Sequence, residues 1–203
     1  DPVAVIGRQE PEAMEVLLRR AVEVGAVVAR LGSEFDVIDR KLAVGGQQLT
    51  LRGLGGEYTD IFLPLFGEHQ AENAATALAA VEAFFGAGPE RALDPELIRA
   101  GFAAVDNPGR LERLSSSPTV LVDAAHNGHG GRALAAAVTS EFDFKRLVAV
   151  VAMLDGKDSD EFLAALEPVV EEVVVTRTTS PRAMPLEELA RIAEERFTAQ
   201  RVH

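Results

Sequence analysis

The chain has 203 residues, 47% of them apolar and 26% charged, enough for one large domain or two small ones around a buried core. A formal net charge of −12 argues against nonspecific nucleic-acid binding, which needs clustered Lys and Arg, and the absence of Cys excludes disulfides and thiolate metal sites. No apolar run has the length of a membrane span, and no basic segment followed by an apolar one opens the chain, so neither a membrane anchor nor a secretory leader is expected.

In chain order, Val3–Ile6 reads as a short buried strand broken by Gly7. Pro11 opens a helix, where its missing N–H costs nothing, and Met14, Leu17, Leu18, Ala21 and Val22 recur at helical spacing. Gly25 closes it and residues 26–29 return as a strand. Residues 35–66 change character. Leu42-Ala43-Val44, Gly45-Gly46 and Leu49-Thr50-Leu51 give a hairpin signal. Gly53, Gly55 and Gly56 read as a loosened loop, and residues 58–65 as a further strand.

Residues 68–85 are Ala-rich and strongly helical, ended by Gly86-Ala87-Gly88-Pro89. A second helix is expected over 95–105. Asp106-Asn107-Pro108-Gly109 is a turn cluster, and Ser115-Ser116-Ser117-Pro118 reads as exposed. The chain then alternates: strand 119–122, helix 130–142, strand 147–152, helix 160–169, strand 173–175, helix 186–197. Apolar strands alternating with helices predict a parallel sheet with helices on its faces, and ligands at the C-terminal edge of its strands. The loops on that edge are 123–129, 153–159 and 176–183.

Asp123-Ala124-Ala125-His126-Asn127 stands where the strand 119–122 ends and the next helix begins, a position that favours an anion. Asp123 alone reads equally well as a structural cap; with His126 and Asn127 it reads as a site. A zinc site at His126 and His129 is not expected, because no third ligand is near in sequence. Pro108-Gly109-Arg110-Leu111-Glu112-Arg113 can present Arg110 to a transferred phosphoryl group, or Arg110 can simply be solvated. Asn73, four residues after His69 on one helix face, serves a ligand or only caps. Lys157, in Leu154-Asp155-Gly156-Lys157-Asp158, can meet an anion, but this is not a phosphate loop: Val151 and Asp158 stand where Gly and Ser or Thr are needed. No such loop occurs anywhere in the chain.

Taken jointly and in order, GEHQAENAATAL (67–78), PGRLER (108–113), VLVDAAHNGHGGRAL (120–134), MLDGKD (153–158) and TSPRA (179–183) resemble the folylpolyglutamate synthase/dihydrofolate synthase family of the Mur ligase superfamily. The resemblance spans essentially the whole chain, and the opening VIGRQEPEAMEVLLRRA looks like the late part of that family's ATPase domain. Ala124 and Gly128 stand where the commoner motif has Gly and Pro.

The resemblance implies an α/β fold: the tail of a Mur-type P-loop ATPase central domain (1–105), a linker (106–118) and a Rossmann-like parallel-sheet C-terminal domain (119–203), incomplete at its end. It implies an ATP-dependent ligase that adds glutamate to folate or dihydropteroate through an acyl phosphate. Asn73 would contact the nucleobase, and Arg110 and Asp123 the ATP. Catalytic roles fall to Arg110 and His126. His126, Asn127, Lys157 and Ser180 would face the substrates. No metal ligand is expected in this chain; the phosphate loop and the Mg²⁺ ligands would lie upstream. The expected partners are folate or dihydropteroate and L-glutamate, with no nucleic acid and no membrane, and the expected state is a cytoplasmic monomer. Another Mur-superfamily amide ligase and a truncated paralogue that only binds a nucleotide or a partner are the alternatives.

Overall fold

In a computed structural model the protein is described over residues 2–88 and 90–203; Pro89, expected to help end a helix, lies outside them. The chain divides into two compact units, Asp1–Pro108 and Gly109–His203.

The first unit opens with β1 (Val3–Ile6), α1 (Pro11–Glu23) and β2 (Val27–Arg30). Pro11 fills the first turn of α1, and β1 and β2 pair in parallel, the natural result of a helical crossover. An antiparallel meander follows: β3 (Asp36–Ala43), β4 (Gly46–Arg52) and β5 (Glu57–Leu63). Its first turn falls at Val44-Gly45, inside the expected hairpin. α2 (Glu68–Phe85) packs on β1, β3 and β4, and α3 (Pro95–Ala103) packs on β5. The buried face of α2 is built largely from Ala71, Ala74, Ala75 and Ala79, which allow close approach to a core of Phe35, Leu49, Leu51, Ile61 and Leu63. α2 ends in a left-handed Gly86.

Glu82, on the last turns of α2, is fully buried. Its carboxyl oxygens accept the main-chain N–H of Leu54 at 2.5 Å, that of Gly55 at 3.0 Å and the Tyr58 hydroxyl at 2.8 Å. A Cβ on Gly53 would stand 2.1 Å from a Glu82 oxygen. The glycines of this loop therefore do not loosen it. They let it close tightly around a carboxyl group.

Tyr58 completes that clamp by accepting the Leu93 N–H at 3.0 Å. Burial, reinforced by its bond to Glu82, pushes the phenol up to about 12. The folded state therefore keeps this proton at pH values where the unfolded chain, near 10, has lost it. Stability is expected to hold below about pH 10 and to fall by about 2–3 kcal/mol as pH rises through 12. Urea unfolding at stepped alkaline pH measures the loss, and phenolate absorbance assigns it, since Tyr58 is the only tyrosine. Tyr58→Phe should flatten the slope; an unchanged slope would reject this origin.

The second unit starts with β6 (Glu112–Ser116) and β7 (Thr119–Val122), an antiparallel pair with a bulge between Arg113 and Ser115. β6 lies inside the span read as a linker. Its polar sequence carries no apolar alternation, so only pairing with β7 makes it a strand. Then come α4 (Gly128–Glu141), β8 (Val148–Val151), α5 (Ser159–Leu166), β9 (Glu172–Val175), α6 (Leu186–Phe197) and the 3₁₀ turn Ala199–Arg201. β8 and β9 pair in parallel, and Val202 bridges to Val173 in parallel. The unit is α/β as expected, with mixed rather than purely parallel pairing. Among the described residues β7 does not pair with β8, and a cavity of about 340 Å³ is lined by Leu121 and Ala125 on one side of the sequence and by residues 147–153 on the other. The core gathers Met153, Phe162, Leu163, Val173, Leu189 and Phe197. α4 and α5 lie close because Gly131 faces Ala165 and Phe162, where a Cβ would meet atoms at 3.1 Å.

Candidate functional site

The strand-end segment after β7 and the turn before β6 are joined by hydrogen bonds. Asp123 directly follows β7 and is half-buried, and both its oxygens accept hydrogen bonds. One accepts the Leu111 N–H at 2.8 Å and the other the Ala125 N–H at 2.7 Å. The Ala124 N–H donates to the Gly109 carbonyl at 2.8 Å, and the Gly109 N–H donates to the Glu112 carboxylate at 2.8 Å. The expected Asp123 and Arg110 segments are therefore one structural piece. Asp123 is not a helix cap; that task falls to Asn127, whose side-chain oxygen accepts the Gly130 N–H at 2.8 Å.

This turn contains two residues that sequence reasoning missed. Leu111 is 2% exposed and has a φ of 47°. A left-handed leucine costs about 1–2 kcal/mol, so its burial and the Asp123 bond must hold it there. No sequence signal marks it, because leucine is not a residue chosen for that conformation. Glu112 was legible only as part of the PGRLE string.

Arg110, between the left-handed Gly109 and Leu111, is exposed and has no side-chain hydrogen bond or ion pair among the described residues. His126 is also exposed, and its Nδ1 lies 2.9 Å from the Ala124 carbonyl. A carbonyl oxygen only accepts, so Nδ1 carries the proton and Nε2 of the neutral ring keeps a lone pair. The first turn of α4 adds main-chain N–H groups and a favourable dipole. A guanidinium, a lone-pair nitrogen and a helix N-terminus on one hydrogen-bonded piece suit the handling of a phosphorylated group and an amine.

The loops carrying Lys157 and Ser180 are also stitched together. Asp155 N–H donates to the Arg182 carbonyl at 2.7 Å, Met184 N–H to the Met153 carbonyl at 2.9 Å, and Leu154 bridges to Ala183. Lys157 is half-buried. Ser180 accepts the Arg182 N–H at 3.2 Å, a local turn bond that leaves its hydroxyl proton available.

Asn73 stands on α2 in the first unit, exposed, with its amide donating to Gln70 at 3.3 Å. Gln70 in turn contacts His69 at 3.1 Å. The start of α2 is anchored by Arg8, whose guanidinium pairs with Glu72. It is also anchored by the buried Gln47, which donates to the carbonyls of Leu65 and Gly67 at 2.9 and 3.1 Å. Among the described residues no three His, Asp or Glu side chains gather as metal ligands. The sequence holds no phosphate loop, and the described residues offer no carboxylate cluster that would fit Mg²⁺.

Residues 109–203 match the glutamate ligase domain of Mur ligases, so the second unit is a Mur-type ligase domain. The chain is 61% identical over 202 residues to the dihydrofolate synthase/folylpolyglutamate synthase of Mycobacterium tuberculosis, covering 100% of this chain and 42% of that protein. Among solved structures, the M. tuberculosis folylpolyglutamate synthase complexed with ADP superposes with a TM-score of 0.95 at 60% identity, over 99% of this chain and 44% of that one. An E. coli FolC complex with DHPP and ADP superposes with a TM-score of 0.74 at 30% identity, over 91% of this chain and 41% of that one. The chain belongs to the folylpolyglutamate synthase/dihydrofolate synthase family, and it spans about two fifths of the length of these relatives.

Proposed function

We propose that the intact protein carrying this chain is a cytoplasmic, ATP- and Mg²⁺-dependent ligase that joins L-glutamate to folate, to dihydropteroate, or to both. Residues 1–105 would be the tail of its ATPase domain, 106–118 the connection and 119–203 most of its C-terminal domain. The observation that carries the reading is the union of the Pro108–Glu112 turn with Asp123–Asn127 in one hydrogen-bonded strand end. The relatives' complexes with ADP and with DHPP support it.

A carboxylate is a poor electrophile, and a phosphoryl group turns its hydroxyl equivalent into a leaving group. This chain's residues serve that chemistry mostly by position and charge. Arg110 faces the transferred phosphoryl oxygens, where a guanidinium can make two parallel bonds. His126 presents Nε2 to the amine of glutamate, ready to take its proton as the amide forms. The Asn127 amide, Lys157 and Ser180 receive the carboxylates of the substrates. Asn73 offers a donor and an acceptor to the nucleobase edge. The triphosphate and Mg²⁺ belong to residues outside this chain.

The purified chain, incubated with ATP, Mg²⁺, glutamate and a folate, is expected to give no glutamylated product. The intact protein is expected to give product with stoichiometric ADP. Product from the chain alone at the intact rate, or none from the intact protein, would reject the proposal.

A further inference from the structure

We propose that Glu112 is a positioning residue for Arg110: its carboxylate closes the turn from Gly109 to Glu112 and so fixes the direction in which the guanidinium leaves it. The inference rests on the reading that Arg110 faces the transferred phosphoryl group.

Arg110 stands between two left-handed residues, Gly109 at φ 73° and Leu111 at φ 47°. The peptides on both sides of its Cα are held. The Gly109 carbonyl accepts the Ala124 N–H at 2.8 Å, and the Leu111 N–H donates to Asp123 at 2.8 Å. A carboxylate has about four acceptor positions, so its two main-chain bonds leave Asp123 able to serve the nucleotide as well. Leu111 is further restrained by its burial. Gly109 has no side chain to restrain it, and glycine moves between left- and right-handed conformations without steric cost. Its N–H is the remaining handle, and Glu112 takes it at 2.8 Å. Glu112 is the first residue of β6 and is paired with Val122, so its carboxylate is anchored on the strand beside the one that Asp123 follows. Without that carboxylate the turn can open at Gly109, and Arg110 leaves it along more than one direction. The role asks Glu112 for an acceptor oxygen at the right reach rather than for charge. Glutamine offers the same oxygen at the same reach, alanine offers none, and aspartate is one methylene short.

The test is a variant series and a double-mutant cycle in the intact ligase, with amide exchange on the chain itself. Glu112→Ala is expected to lower kcat by about 20-fold, while the KM for glutamate changes by less than about twofold. Glu112→Gln should restore kcat to within about threefold of wild type, and Glu112→Asp should not. In an Arg110→Ala background Glu112→Ala should cost less than about twofold, because the group it positions is already gone. Exchange at the Gly109 amide should accelerate about tenfold in Glu112→Ala, with β9 and α6 amides unchanged. A glutamine variant as slow as the alanine one would mean that the charge itself meets a ligand, and would overturn the positioning role. Additive losses in the cycle, a change confined to KM, or an unmoved Gly109 amide would overturn it too. A wild-type kcat in Arg110→Ala would instead remove the reading of Arg110, and this inference with it.

Discussion

Replacing Glu82 by alanine is expected to unfold the Asp1–Pro108 unit or to lower its stability by about 3–5 kcal/mol, roughly 15 °C or more in melting temperature. The carboxyl group is fully buried and accepts from Leu54 N–H, Gly55 N–H and the Tyr58 hydroxyl. Removing it leaves three donors without a partner in a place water does not reach, and each costs about 1–3 kcal/mol. The lost packing adds to this. A small domain has only about 5–15 kcal/mol in reserve, so the change consumes much of it. Glu82→Gln keeps one acceptor and should cost less, about 1–3 kcal/mol. Circular dichroism melts of the chain and both variants measure the series. An alanine variant within about 1 kcal/mol of the wild type would show that the loop finds other partners.

The second large effect is on activity. In the intact ligase Arg110→Ala is expected to lower kcat by about a thousandfold, in the range seen when an arginine stabilises charge on a transferred phosphoryl group. Among the described residues the guanidinium has no partner to lose, so stability should be nearly unchanged. Arg110→Lys keeps the charge but not the paired donors, and should recover only part of the rate. Steady-state kinetics with melting controls decide this. A kcat within about twofold of wild type would place Arg110 among solvated turn residues.

Much of the fold was readable because local rules and tertiary context agree. α2 begins and ends at the residues its composition indicates, since Ala, Leu and Glu favour helix and Gly86 favours the left-handed cap. α6 matches its pattern for the same reason. The candidate site was readable as motifs: Arg110 and His126 both lie exposed on the hydrogen-bonded piece, Asn73 lies exposed on α2, and Lys157 and Ser180 share stitched loops.

What failed did so where meaning depends on a distant partner. Glu112–Ser116 looks like exposed linker until β7 pairs with it. Gly53 and Gly55 look like slack until Glu82, some 27 residues away, fills the space a side chain would need. Asp123, read alone, gives no sign that both its oxygens accept main-chain N–H groups, one of them from Leu111 twelve residues away.

The sequence by itself determined the helices, the strand-helix alternation after residue 118 and the string of motifs that marks the family, because each is written in local composition and order. Tertiary structure alone decided that Leu111 is left-handed, that Glu82 is the clamp of its unit, and that the Asp123 carboxylate binds the Arg110 turn. These rest on hydrogen bonds between groups far apart in the chain, and the geometry of such bonds exists only once the core has brought the groups together.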